Sequence, residues 1–406
     1  MLAETDLPHA APSNKFLDIR HVVAVASAKG GVGKSTVTTN LALALQRGGF
    51  SVGILDADIL GPSIPGLLGV PTATRPQQAA DGRIVPPEGH GVKIVSMGMF
   101  SADDKPMMLR GPMLGKYLNM FLTGVAWGEL DYLLLDLPPG TGDTQLTLGQ
   151  NFPLSGAIVI TTPQAVSARI AQRGARMFEQ MKIPVLGVIE NMRTFICPNC
   201  GETTDIFGHG EGERLAERIG APFLGSLPLD AAIMESGDAG RPIVLAAPDS
   251  PATTAFVTIA NRLTEGLAGL RGGLEPFRWR WEKDEEAPGR ETPGDGPNGQ
   301  SSDPAGMRRG DANTLTIIWQ DGERHDYDLR ALRLACPCAR CVDEMSGRPL
   351  LDPASVPRDI VPREIHSVGS YAVGIAWSDG HASGIHAFET LRALGERLAE
   401  PRNADG

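Results

Sequence analysis

The stretch His21–Thr36, "HVVAVASAKGGVGKST", decides the fold of the larger part of the chain. Its first eight residues are largely apolar and valine-rich, as in a strand covered on both faces. They run into Lys29-Gly30-Gly31-Val32-Gly33-Lys34-Ser35-Thr36, and the following "STVTTNLALALQ" reads as a helix closed by Gly48-Gly49. In such a strand, glycine loop and helix, successive backbone N–H groups point at phosphate oxygens, and the helix N-terminus adds the positive end of its dipole. Lys34 supplies charge for the β- and γ-phosphates, and the Ser35 hydroxyl is a ligand for Mg²⁺. Residues 29–36 are therefore expected to bind ATP. The pattern G-x-x-x-x-G-K-[ST] places a glycine at position 28, where this sequence has Ala28; a second lysine, Lys29, opens the loop instead.

Around this unit, apolar runs alternate with helical ones from Ile19 to about residue 270. The expected strands are "HVVAVASA", "SVGILDAD", "GVKIVSMGMF", "DYLLLDLPP", "GAIVITTP", "PVLGVIENM" and "PFLGSLPL". Helical stretches such as "SARIAQRGARMFEQMK" lie between them, so the fold class is α/β, a mainly parallel sheet wrapped by helices. After a tail at 1–18 and this domain at 19–270, residues 271–311 are dense in Pro, Gly and charge and are expected to form a flexible linker. Residues 312–402 form a second, small, β-rich α+β domain. Its hairpins turn at Asp321-Gly322 and Asp379-Gly380, and "ETLRALGERLAE" closes it as a helix.

The 37 basic and 48 acidic residues leave a net charge of −11, which gives no chain-wide footprint for nucleic acid or anionic lipid. No segment reaches the apolar length of a membrane span, and "MLAETDLPHAAPSNKF" lacks the pattern of a signal peptide. A cytoplasmic location is expected, with neither nucleic acid nor membrane as partner.

The K-G-G-x-G-K-[ST] loop with its early lysine is the deviant Walker A signature, and it resembles that of the SIMIBI-class ATPases, among them ParA, MinD, the nitrogenase iron protein and the Mrp (ApbC) proteins. The resemblance implies a nucleotide-sandwich dimer in which Lys29 reaches the partner's phosphates. It assigns Asp58 of "ILDADILGPSIP" to the first switch, where it orients the attacking water, and Asp136 of "DYLLLDLPPGTGD" to the Walker B position, which holds Mg²⁺ through water. Asn191 matches the position that contacts adenine. A lone Asp at a strand end is more often a turn or cap residue; three such features in one α/β domain favour catalysis, with Lys29, Lys34, Asp58 and Asp136 as its residues.

The five cysteines fall in two tight groups, a pattern of metal binding in a reducing compartment rather than of disulfides. "FICPNCG" places Cys197 and Cys200 on a loop as half of a four-thiolate set. A zinc knuckle needs a second pair, and the next cysteine is far along the chain. His209 offers a third ligand within one chain, whereas a two-fold homodimer brings four thiolates to one axis. Here the resemblance narrows. "DADILGPSIP", "LRGPM", "DYLLLDLPPGTGDTQL", "ENMRTFICPNCG", "IFGHGEGERLA" and "GSLPLDAAIMESGDAGRPIV" resemble the Mrp/ApbC iron-sulfur cluster carriers in order and spacing. That family implies a bridging [4Fe–4S] cluster on Cys197 and Cys200, ATP hydrolysis, and transfer of the cluster to apo iron-sulfur proteins.

In "LACPCARCVDEMSG", Cys336, Cys338 and Cys341 form C-x-C-x-x-C and want a fourth ligand, with His366, His381 and His386 as candidates. Together with "WSDGHASGIHAFETLR" the pattern resembles the small domain at the N-terminus of gamma-butyrobetaine hydroxylases. The match selects His381 for a structural Zn²⁺ site. Iron on the three thiolates is the alternative.

Two other functions fit parts of the sequence. A partitioning or positioning ATPase like ParA or MinD needs a basic surface or terminal amphipathic helix that is not evident here, and a zinc-stapled regulatory ATPase would carry no iron. The methionines at 97, 99, 107, 108, 113 and 120 are expected to fill core or surface rather than bind metal.

Overall fold

The computed structural model describes residues 19–269 and 278–399, apart from 59–60, 72–73, 101–119, 122–123, 141–153, 182, 198–199, 201, 283–302, 312, 339, 343–347, 369–371 and 383. The tail at 1–18, most of the expected linker and the methionines at 107, 108 and 113 lie outside the described residues. The chain divides into two compact units, Met1–Leu267 and Ala268–Gly406.

In the first unit the strands are β1 (Ile19–Ser27), β2 (Val52–Asp56), β3 (Gln77–Gln78), β4 (Ile84–Val85), β5 (Glu88–Gly89), β6 (Val92–Ser96), β7 (Leu130–Asp136), β8 (Gly156–Thr161), β9 (Val185–Glu190), β10 (Phe195–Ile196), β11 (Thr203–Thr204) and β12 (Phe223–Ser226). All seven expected strands are among them. Eight strands form one sheet in the order β12-β9-β8-β1-β7-β2-β6-β5, parallel throughout except for the short edge strand β5. Successive residues of β1 serve opposite faces: Val23 and Val25 enter the core beneath helix α1 (Lys34–Arg47), while Val22, Ala24 and Ala26 pack with Leu133, Leu135 and Phe178. Burial on both faces explains why this strand lacks a polar side. The chain leaves β1 for β2 and later returns to β8 on the other flank of β1, so β1 lies where the winding changes direction. Ligands of open α/β sheets bind at the carboxyl ends of strands at such a point.

Among the described residues the second unit has two antiparallel sheets. One contains β13 (Arg278–Arg280), β17 (Pro362–Val368), β18 (Ala372–Trp377) and β19 (Gly384–Ala387), and the other β14 (Pro304–Arg309), β15 (Thr314–Trp319) and β16 (Arg324–Asp328). Gly322 and Gly380 adopt the positive φ that the two hairpin turns require.

Here the structure differs from the sequence reading: two parts of the stretch read as linker are strands of this unit. "RWRW" alternates polar and aromatic residues with the period of a strand, so Trp279 and Trp281 enter the core while Arg280 faces out. Their rings lie 4.9 Å apart, and the Arg309 guanidinium of β14 sits 5.0 Å over Trp281. Composition alone obscured a period-two pattern only four residues long.

Candidate functional site

The glycine loop follows β1 and turns into α1 through Gly33, whose φ of 78° only glycine adopts at low cost. A side chain there is excluded twice over, because its Cβ would lie 2.4 Å from Asn191 Nδ2. Asn191 holds the loop from the end of β9, two strands away from β1: its side-chain amide donates to the Val32 carbonyl at 2.8 Å, and its backbone N–H donates to the Thr161 carbonyl. The structure thus engages Asn191 with the loop. Lys29 and Gly30 are exposed at the loop's mouth, Ser35 and Thr36 are half-buried, and Lys34 points inward.

Below the loop, Asp136 at the end of β7 is fully buried and collects three donors. Lys34 Nζ and Ser35 Oγ each lie 2.6 Å from its Oδ2, and Thr38 Oγ1 lies 2.6 Å from its Oδ1. A buried carboxylate persists only when so compensated. The arrangement brings together Lys34, Ser35 and Asp136, the three residues expected at the phosphates and Mg²⁺. Thr38 was missed, although it stands one helical turn after Lys34 and so shares its face.

On the next strand, Asp56 is also fully buried; it accepts from Ser96 Oγ at 3.0 Å and from the Asp58 backbone N–H at 3.1 Å. Burial, and after it the nearby charge of Asp136, push its carboxyl up to about 7. Asp58 itself is half-buried and accepts from Gly61 N–H at 3.3 Å. Backbone amides at the loop, a cation and a hydroxyl over a buried carboxylate fit a nucleotide phosphate with its magnesium ion.

Cys197 and Cys200 lie on the hairpin of β10 and β11, closed by Cys197 N–H donating to Glu202. Phe195 bridges to Leu229, which fixes the base of the hairpin. Cys197 is half-buried and Cys200 exposed. His209 pairs instead with Asp205 at 3.1 Å and stays largely in solvent. Among the described residues, neither it nor any other ligand-type side chain completes a group of three or more with these cysteines.

The second unit does hold such a group. The donor atoms of Cys336, Cys338, Cys341 and His381 all lie within 4.8 Å of one another, with His381 Nε2 3.2, 3.5 and 3.8 Å from the three sulfurs in turn. Four donors around one tetrahedral ion at Zn–S distances of about 2.3 Å sit at this spacing, whereas a cluster would spread its cysteines farther. Burial pushes the Cys336 thiol up, with the sulfurs of Cys338 and Cys341 opposing its ionisation, so three thiolates here call for a cation. Arg333 donates to Cys341 Sγ at 3.4 Å and to Asp379 at 2.9 Å, and Asp379 in turn accepts from the His381 backbone N–H. Neither His366 nor His386 joins the set. His386 is buried on β19 and held neutral, its pKa pushed down to about 4 by burial first and by His381 and Arg333 next.

Comparison with known proteins places this geometry. Residues 18–264 match the ParA family described as NUBPL iron-transfer P-loop NTPase. The chain belongs to this family. As a P-loop NTPase it has the fold and loop of a nucleotide-hydrolysing protein. Among its relatives, the iron-sulfur cluster carrier protein of Pseudomonas fragi is 47% identical over 262 residues, 64% of this chain and 91% of that protein. That of Escherichia coli K12 is 47% identical over 249 residues, 61% of this chain and 67% of its own length. A solved nucleotide-binding protein of Archaeoglobus fulgidus in complex with ADP is 39% identical, with a TM-score of 0.51 over 59% of this chain and 93% of that one. Residues 308–392 match the gamma-butyrobetaine hydroxylase-like N-terminal domain. Among the described residues no helix is long and apolar enough to cross a membrane.

Proposed function

We propose that this NUBPL-type NTPase binds and hydrolyses ATP and carries a [4Fe–4S] cluster, gripped by Cys197 and Cys200 of two copies of the chain, for delivery to apo iron-sulfur proteins. One observation carries this reading. The chain has five cysteines, and three of them gather with His381 into a set of their own, so the hairpin pair has no second pair in the same chain to complete a cluster site. A second copy is the economical source of two more thiolates. A cluster held by two thiolates from each side is released when the copies shift apart, as a carrier requires.

In this reading Lys34 and the amides of residues 30–36 hold the phosphates, Lys29 reaches those of the partner, and Ser35 and Asp136 hold Mg²⁺. Asp58 orients the attacking water, and Asn191, which also braces the loop, contacts adenine. Cys336, Cys338, Cys341 and His381 hold a structural Zn²⁺, which stabilises a small unit by closing a four-ligand set. The acidic balance of the chain favours a cytoplasmic carrier with protein clients over a partitioning ATPase that binds DNA or membrane.

Anaerobic reconstitution with iron and sulfide, followed by metal analysis and sizing, tests the reading. A brown dimer with about four irons and four sulfides per pair of chains supports it. A colourless protein containing zinc alone would replace it with a zinc-stapled regulatory ATPase.

A further inference from the structure

Three residues at the carboxyl ends of adjacent strands stand in one row: Asp136 on β7 is in register with Asp56 on β2, and Asp56 with Ser96 on β6. In-register neighbours of a parallel sheet point to the same face. Asp136 is occupied by Lys34, Ser35 and Thr38, which leaves Asp56 as a second buried carboxylate that the nucleotide site does not itself explain. Its two oxygens are committed elsewhere, Oδ1 to the backbone N–H of Asp58 and Oδ2 to Ser96 Oγ.

Ser96 extends the connection, since its hydroxyl donates to Asp56 and accepts from Gly98 N–H at 3.3 Å. Gly98 in turn abuts the segment that follows Asp58: a Cβ on it would lie 2.8 Å from Pro62 Cγ. The contacts form a circuit from Asp58 through Asp56, Ser96 and Gly98 to Pro62.

We infer that Asp56 is a positioning residue for nucleotide hydrolysis, fixing the backbone at Asp58 and tying it through Ser96 to the turn that abuts Pro62. The inference rests on the reading of Asp58 as the residue that orients water. It assigns Asp56 no contact with the reacting atoms. Displacing a positioned group by a fraction of an ångström costs rate more than binding. The signature is therefore a fall in kcat with KM for ATP nearly unchanged.

Phosphate release by the full-length protein, with Asp56→Ala, Asp56→Asn, Ser96→Ala and Asp58→Ala beside wild type, tests it. Asp56→Ala should lower kcat about 10- to 100-fold and Ser96→Ala about 3- to 10-fold, both with KM within about threefold of wild type. Asp56→Asn should restore most of the rate, because an amide oxygen can accept from Asp58 while its N–H donates to Ser96. If Asp58→Ala abolishes hydrolysis while Asp56→Ala runs at the wild-type rate, the positioning role is overturned and the reading of Asp58 stands. If Asp58→Ala itself runs at the wild-type rate, the reading of Asp58 falls. Asp56→Asn as slow as Asp56→Ala would show that the carboxylate charge acts directly, which also overturns the inference. Should Asp56→Ala fail to fold, Ser96→Ala decides, and a wild-type kcat for it counts against the circuit.

Discussion

Lys34 Nζ and Asp136 Oδ2 lie 2.6 Å apart, joined across 102 residues of sequence, and both side chains are buried. Removing Asp136 would leave an ammonium without its partner charge and deprive the Ser35 and Thr38 hydroxyls of an acceptor. Breaking a buried pair from one side costs about 3–5 kcal/mol. Asp136→Ala should lose about that much in urea denaturation, and phosphate release should fall below about 1% of wild type. A stable, active Asp136→Ala protein would contradict the network described here.

The raised pKa of Asp56 gives a signed pH dependence. An acid that titrates near 7 when folded and near 3.8 when unfolded holds more protons in the folded state between those values. Its contribution to stability is therefore full below about pH 4 and is lost as pH rises through 7. Denaturation of the nucleotide-free protein from pH 5 to pH 8 should show this decline, and Asp56→Asn should flatten it. A wild-type profile that rises across the same window and is unaffected by the substitution would refute the assignment.

The two cysteine groups should separate chemically. After anaerobic reconstitution, Cys197→Ala with Cys200→Ala should lose iron and sulfide and keep zinc, while Cys336→Ala should lose zinc and keep iron. Loss of both metals from either variant would mean that the sites are not independent.

Arg333 and Asp379 stand directly behind the Cys₃His group and orient two of its members. Replacing such outer partners typically weakens a metal site 10- to 100-fold. Arg333→Leu is expected to release zinc to a competing chelator about that much more readily, with cluster loading at Cys197 and Cys200 intact.

Trp279 decides between strand and linker for residues 278–280. It is fully buried, so Trp279→Ala should destabilise the second unit by about 3–5 kcal/mol. In a flexible linker the same change would leave the unfolding transition where it was.

The sequence by itself determined the parallel α/β sheet, the glycine loop and the two sets of cysteines. Each is local: doubly buried strands read as unbroken apolar runs, a phosphate loop needs its glycines and lysine within eight residues, and thiolates three residues apart already form half a site. Only the tertiary structure decided that Asp136 gathers Lys34, Ser35 and Thr38 and that Asp56 faces Ser96, and it brings His381, which the family resemblance already selects over His366 and His386, to the cysteines. Those choices depend on strand order and register, which bring together residues tens of positions apart. The short β13 and β14 belong with them, because a strand of three to six residues in a stretch rich in Pro, Gly and charge acquires its identity from the neighbours that cover it.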